Sequence, residues 1–136
     1  MGHIPVRGRR VTLRSPLGRA LGLGAAGHAT HHWWQQRITA VALALLGAWF
    51  AISLLGLDLG DRATLAGWIA RPLNAALLVV LVLTAAWHSQ LGSRVIVEDY
   101  IHGTLKVPLL VALQFLHAVA AAIGVVAVLQ IAIGGR

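Results

Sequence analysis

Three stretches of this 136-residue chain are nearly all apolar, and polar or glycine-bearing segments separate them. Ile38 to Leu57 is the first and carries no charged residue. Leu73 to Leu91 is the second, interrupted by Asn74, Thr84, His88, Ser89 and Gln90. Val107 to Ile133 is the third, with Gln114, His117 and Gln130 inside it. Twenty residues of helix rise about 30 Å, the thickness of a bilayer's hydrocarbon core. Helices are required, because lipid offers no partner to backbone groups and three spans cannot close a β-barrel. The pattern predicts an all-α membrane protein with spans over about 38–57, 73–91 and 107–133. The third run exceeds the core thickness and is expected to tilt or protrude. Small residues recur at four-residue intervals, as Ala40, Ala44 and Ala48 and as Ala120 and Gly124. Such rows allow helices to approach closely and predict packing against a partner as a helical bundle.

Composition narrows the classes. Charged residues make up 11%, against about 25% in soluble domains. Hydrophobic residues reach 58%, which excludes a disordered chain. Cysteine is absent, so the chain has no disulfide and no thiolate nucleophile, and holds no iron–sulfur cluster of its own.

The net charge of +7 changes the reading less than its placement does. Arg7, Arg9, Arg10, Arg14 and Arg19 precede the first apolar run. With the N-terminus inside, these five join Arg37, Arg94 and Lys106 on the inner side, against Arg62, Arg71 and Arg136 outside. Basic residues favour the cytoplasmic face, so residues 1–37 read as a basic cytoplasmic segment and 38–136 as the membrane anchor. The surplus of arginine is thus a matter of topology, and no nucleic-acid partner is expected. Trp68, Trp87 and the Trp33–Trp34 pair are expected near interfaces. The first apolar run is too long for the core of a signal peptide. The acid-free, Arg-rich start faintly resembles a mitochondrial transit peptide but holds one serine, Ser15.

Gly22-Leu-Gly24-Ala-Ala-Gly27 matches the dinucleotide-binding glycine pattern. That pattern needs a preceding strand and a later acidic residue. Here basic residues precede it and a membrane span follows, so it reads as a linker.

His88 is the informative polar residue. It lies six positions before Arg94, about 9 Å below the inner boundary. A histidine in a span faces a bundle interior or a cofactor. Two chemistries fit: an axial haem ligand, or a hydrogen bond that ties two helices together. Thr84, His88 and Gly92 share one helix face, and small neighbours leave room for a flat macrocycle. His117 lies eleven residues past Lys106. By depth it differs from His88 by about 7 Å, so it reads as an interhelical hydrogen-bonder.

The inner segment from Arg94 to His102 contains Glu98, Asp99 and Tyr100, with two of the chain's four acids. A tyrosine beside a carboxylate at the membrane surface can donate to a quinone carbonyl and pass a proton, or can anchor at the headgroups. Arg37, at the start of the first span after His31 and His32, can snorkel to lipid phosphates or pair with a haem propionate.

Together these features resemble the small hydrophobic D-type membrane-anchor subunit of succinate dehydrogenase (succinate:quinone oxidoreductase, respiratory complex II). The resemblance rests on Gly22-Leu-Gly24-Ala, on the stretch from His32 to Ala40, and on His88 followed after ten residues by Asp99-Tyr100. It covers nearly the whole chain, and the spacing from His88 to Tyr100 is its most specific part. The resemblance implies that His88 is an axial ligand to haem b shared with a second membrane anchor. It implies that Tyr100 binds ubiquinone with Asp99 in support. Arg37, with His31 or His32, would lie near the haem propionates. Partners would be the second anchor, an iron–sulfur subunit, a flavoprotein subunit carrying FAD, and the lipid bilayer. The chain would be a non-catalytic subunit of the enzyme in a bacterial cytoplasmic membrane, with a mitochondrial inner membrane as the lesser case. The alternatives are a non-redox membrane scaffold or small transporter subunit, and the C-type anchor of the same complex.

Overall fold

The apolar runs fold as helices, and the helices continue past them. The computed structural model describes residues 26–134, so the early arginines, Gly22, Gly24 and Arg136 lie outside the described residues. The chain divides into two compact units, residues 1–31 and 32–136. Of the first unit, the described residues 26–31 belong to the first turns of a helix.

Helix α1 spans Ala26–Leu55, α2 spans Arg62–Ile69, α3 spans Pro72–Tyr100 and α4 spans Lys106–Gly134. Among the described residues there is no strand. Thr30–Leu55, α3 and α4 are long and apolar enough to cross a membrane. The 29 residues of α3 and of α4 each rise about 43 Å, beyond a core of about 30 Å. Each helix is therefore longer than the hydrocarbon core requires. In α1 the polar turns of His31, His32, Gln35 and Gln36 precede the apolar run.

Local chemistry sets the helix ends. Asp61 caps α2, accepting from the backbone N–H of Ala63 at 3.0 Å and of Thr64 at 3.1 Å. The Thr64 hydroxyl donates to the same carboxylate. These three bonds hold the Asp61 carboxyl below its ordinary value of 3.8, the Thr64 hydroxyl contributing most. Pro72 opens α3, where its missing N–H costs nothing. Asn74 then reaches back to donate to the Trp68 carbonyl at 2.8 Å, closing the end of α2. On the other side, Gly103 turns the chain at φ +81°, a conformation that favours glycine. The Lys106 ammonium donates to the Glu98 carbonyl at 3.0 Å, satisfying the C-terminal turn of α3.

Packing is thin for a soluble protein and suited to a membrane one. Helices α3 and α4 make the most extensive contact. The α1 contacts run through side chains, chiefly Thr39 to His88 and Trp49 to Trp68. Trp68 is buried, with its ring stacked 5.6 Å from Trp49 and tilted 6.3 Å from Phe50. It pins α2 to α1, whereas Trp33, Trp34 and Trp87 are exposed. No residue of α4 is buried, and Ala40, Ala44 and Ala48 are exposed. Those surfaces are left for lipid or neighbouring helices.

Candidate functional site

The site begins at a hydrogen bond across two helices. Thr39 lies on α1 just past its polar turns, and His88 lies near the middle of α3. The Thr39 hydroxyl oxygen and His88 Nδ1 are 2.9 Å apart. The same hydroxyl lies 2.9 Å from the Gln35 carbonyl and 3.2 Å from the Gln36 carbonyl. His88 is half-buried, and its Nε2 has no hydrogen-bond partner among the described residues and is not fully buried. One ring nitrogen is therefore fixed inside the chain while the other is accessible at its surface.

One to two turns toward the N-terminus of α1, Gln36 and His32 stand on the same face as Thr39. Gln36 approaches Gly92, its amide nitrogen 3.9 Å from where a glycine Cβ would lie. The space expected beside Gly92 is thus covered by Gln36. Gln36 Oε1 and His32 Nε2 are buried with no hydrogen-bond partner among the described residues. Buried polar atoms are normally satisfied, and the described residues leave these two without a partner.

Arg37 points elsewhere. It is exposed, with its guanidinium 5.2 Å from the centre of the Trp33 ring, a cation–π contact one turn apart. His31 is also exposed. Of the residues expected near propionates, only His32 shares the Thr39 face.

The segment from Arg94 to Tyr100, expected as part of an inner loop, forms the last two turns of α3. Arg94 and Glu98 pair within it at 2.7 Å. His88 and Tyr100 therefore stand on one rigid helix, about 18 Å apart along its axis. Asp99 lies three turns from His88, on nearly the same face, and Tyr100 is turned from it by about 100°. Tyr100 is 78% exposed. No hydrogen bond joins Asp99 to Tyr100 among the described residues.

His117 sits beside α3, with Nε2 3.1 Å from the Ser89 hydroxyl and Nδ1 2.8 Å from the Leu113 carbonyl. The carbonyl can only accept, so Nδ1 donates to it and Nε2 accepts from Ser89. Both ring nitrogens are used, and His117 ties α4 to α3 as expected. Its level differs from expectation: it meets the residue adjacent to His88, because Lys106 at the start of α4 meets the Glu98 carbonyl, a turn beyond Arg94. It is set apart from His88 by bonding and direction, not depth.

Among the described residues, no group of three or more His, Asp or Glu side chains could hold a bare metal ion. Haem asks less of this chain, since the macrocycle supplies four ligands and one imidazole completes a face. The accessible Nε2 of His88 and the two orphaned polar atoms of His32 and Gln36 fit such a group. Thr39 and Gln36 were not foreseen as site residues. Their signal was the polar spacing His32, Gln36, Thr39, which continues one helix face into the first apolar run.

Three long apolar helices, with a histidine on α3 bonded to α1, define a small multi-span membrane subunit. The chain belongs to the family of succinate dehydrogenase/fumarate reductase transmembrane subunits, whose model matches residues 11–131. It is similar to proteins named succinate dehydrogenase hydrophobic membrane anchor subunit. That of Rickettsia bellii is 35% identical over 88 residues, covering 65% of this chain and 70% of the relative. That of Rickettsia felis is 33% identical over 104 residues, covering 76% and 87%. That of Paracoccus denitrificans is 31% identical over 109 residues, covering 79% and 84%. No solved structure gives a significant match.

Proposed function

We propose that this chain is the hydrophobic membrane anchor of a bacterial succinate:quinone oxidoreductase. In this reading it lies in the cytoplasmic membrane with its N-terminus inside. It seats the flavoprotein and iron–sulfur subunits and pairs with a second anchor. His88 would hold a haem b through Nε2, shared with the second anchor. Haem b, when bound, supplies one-electron redox capacity beside the quinone site. The observation that carries the reading is the division of labour in the His88 ring, with Nδ1 bonded within the chain and Nε2 accessible.

His32 and Gln36 present buried polar atoms suited to the propionate edge, through a histidine N–H and a shared proton or water. Arg37 supplies positive charge at that level, facing outward. Tyr100 and Asp99 act at the inner end of α3. Quinone takes up two electrons and two protons to become quinol. The Tyr100 hydroxyl donates a hydrogen bond to the quinone oxygen as negative charge builds there. Asp99 exchanges protons with the cytoplasm. Electrons come from the iron–sulfur subunit, since this chain has no cysteine to hold a cluster.

The Thr39 bond also suits a second reading, in which His88 serves only to join two helices. One experiment separates the two. Purified complex should show a reducible b-type α-band, and His88→Ala in assembled complex should abolish or shift it. An unchanged spectrum leaves the helix-joining role alone.

A further inference from the structure

The bonding around Thr39 decides more than where His88 points. Thr39 is 8% exposed and is the buried polar side chain of the described core. Its hydroxyl meets three groups: the Gln35 carbonyl at 2.9 Å, the Gln36 carbonyl at 3.2 Å and His88 Nδ1 at 2.9 Å. A hydroxyl has one proton, and carbonyl oxygens only accept. If the proton pointed at His88, two carbonyl oxygens would face the Thr39 oxygen with nothing between them. The proton therefore lies toward the carbonyls, shared by the two, and the oxygen offers a lone pair to His88. Nδ1 must then be the donor. In a neutral imidazole, a proton on Nδ1 leaves Nε2 as a bare lone pair, the form that binds a metal.

The order of control runs outward from the backbone. Threonine in a helix divides between two rotamers, one of them set by bonding back to the preceding turn. The Gln35 and Gln36 carbonyls select that rotamer, and the rotamer sets the tautomer and tilt of the ring on α3. We propose that Thr39 is a positioning residue for His88, holding the Nδ1–H tautomer so that Nε2 presents its lone pair to the haem iron. The proposal rests on the reading of His88 as a haem ligand. A ligand histidine that donates through its other nitrogen is a stronger electron donor to its metal. Loss of the acceptor weakens that donation and favours the reduced iron.

The test uses the purified complex carrying Thr39→Val, Thr39→Ser, Ser53→Ala or His88→Ala. Ser53 makes the same kind of back-bond, to the Trp49 carbonyl at 2.8 Å, far from His88, and controls for loss of such a bond. The readouts are haem content, a redox titration of the b-type band, and the electron paramagnetic resonance g-values of the oxidised haem. Thr39→Val keeps the shape of threonine and removes the acceptor. It should raise the reduced-to-oxidised ratio at a fixed ambient potential about five- to tenfold and move the g-values. Thr39→Ser and Ser53→Ala should titrate like the unaltered complex. Unchanged titration and g-values in a haem-loaded Thr39→Val complex would overturn the proposal. Should Thr39→Val not assemble, Thr39→Ala gives the same comparison with a smaller side chain. Retention of the haem spectrum in His88→Ala would instead overturn the ligand reading itself, so the two failures are distinct.

Discussion

Gly124 faces Val82 so closely across α3 and α4 that a Cβ at Gly124 would lie 2.7 Å from Val82 Cγ1. Real Cβ atoms do not approach so near, and valine is too short and stiff to swing aside. The absent side chain therefore sets the separation of the two helices. Gly124→Leu should push them apart at a cost of about 1–3 kcal/mol, seen as a lower unfolding temperature of the complex. Gly124→Ala should cost less, and Val82→Ala combined with Gly124→Ala should restore most of the loss. A double variant no better than Gly124→Ala alone would place the strain elsewhere.

The Asp61 cap predicts a pH dependence outside the membrane. Its folded pKa lies below 3.8, mainly through the Thr64 hydroxyl and then the Ala63 and Thr64 amides. A lowered carboxylate pKa stabilises the fold above the unfolded value, and the contribution is lost as pH falls through the folded one. At neutral pH, Asp61→Ala should speed hydrogen exchange at the Ala63 and Thr64 amides. The gap between variant and unaltered protein should close as pH drops below about 4. A gap that persists in acid would mean that the cap does not depend on the charge.

The three spans were legible because lipid enforces one pattern: long apolar runs that must be helical. What lay outside that pattern was harder to read. The polar residues His31 to Gln36 look like a loop by hydropathy, yet they continue α1, because helix propensity does not require an apolar face beyond the membrane. Arg94 to Tyr100 followed the same course in α3, aided by the Arg94–Glu98 pair one turn apart. Trp68 is buried against Trp49, a contact between residues 19 apart that no local pattern reveals. His88 could be singled out because a histidine in a span is costly. Thr39 carries a weaker signal, the His32, Gln36, Thr39 spacing on one face, whose meaning depends on its partner on another helix.

The Ser89–His117 bond joins α3 to α4 away from the Thr39 side. Hydrogen bonds between membrane helices average about 0.6 kcal/mol and reach about 1.7. A double-mutant cycle of Ser89→Ala and His117→Ala, read by unfolding of the complex, should give a coupling in that range. Neither variant should alter the b-type spectrum. A spectrum lost in assembled His117→Ala would make His117 a ligand and would contradict the use of both its ring nitrogens within the chain.

Tyr100 ends α3 with its side chain 78% exposed and no intrachain partner among the described residues. Exposure leaves the phenol free for a group outside this chain. In the proposed reading its O–H donates as charge develops on the quinone oxygen. Tyr100→Phe removes that donor and little else, because an exposed ring supports no packing. Quinone reductase turnover should fall at least about tenfold, the effect of losing about 1.4 kcal/mol of transition-state stabilisation. Succinate oxidation with an artificial acceptor that takes electrons before the quinone should persist, since that chemistry lies on another subunit. Asp99→Asn should slow quinone reduction and leave the acceptor assay intact. If both activities of Tyr100→Phe fell together in assembled complex, or neither fell, the tyrosine would be a headgroup anchor, and the quinone donor would lie on another chain.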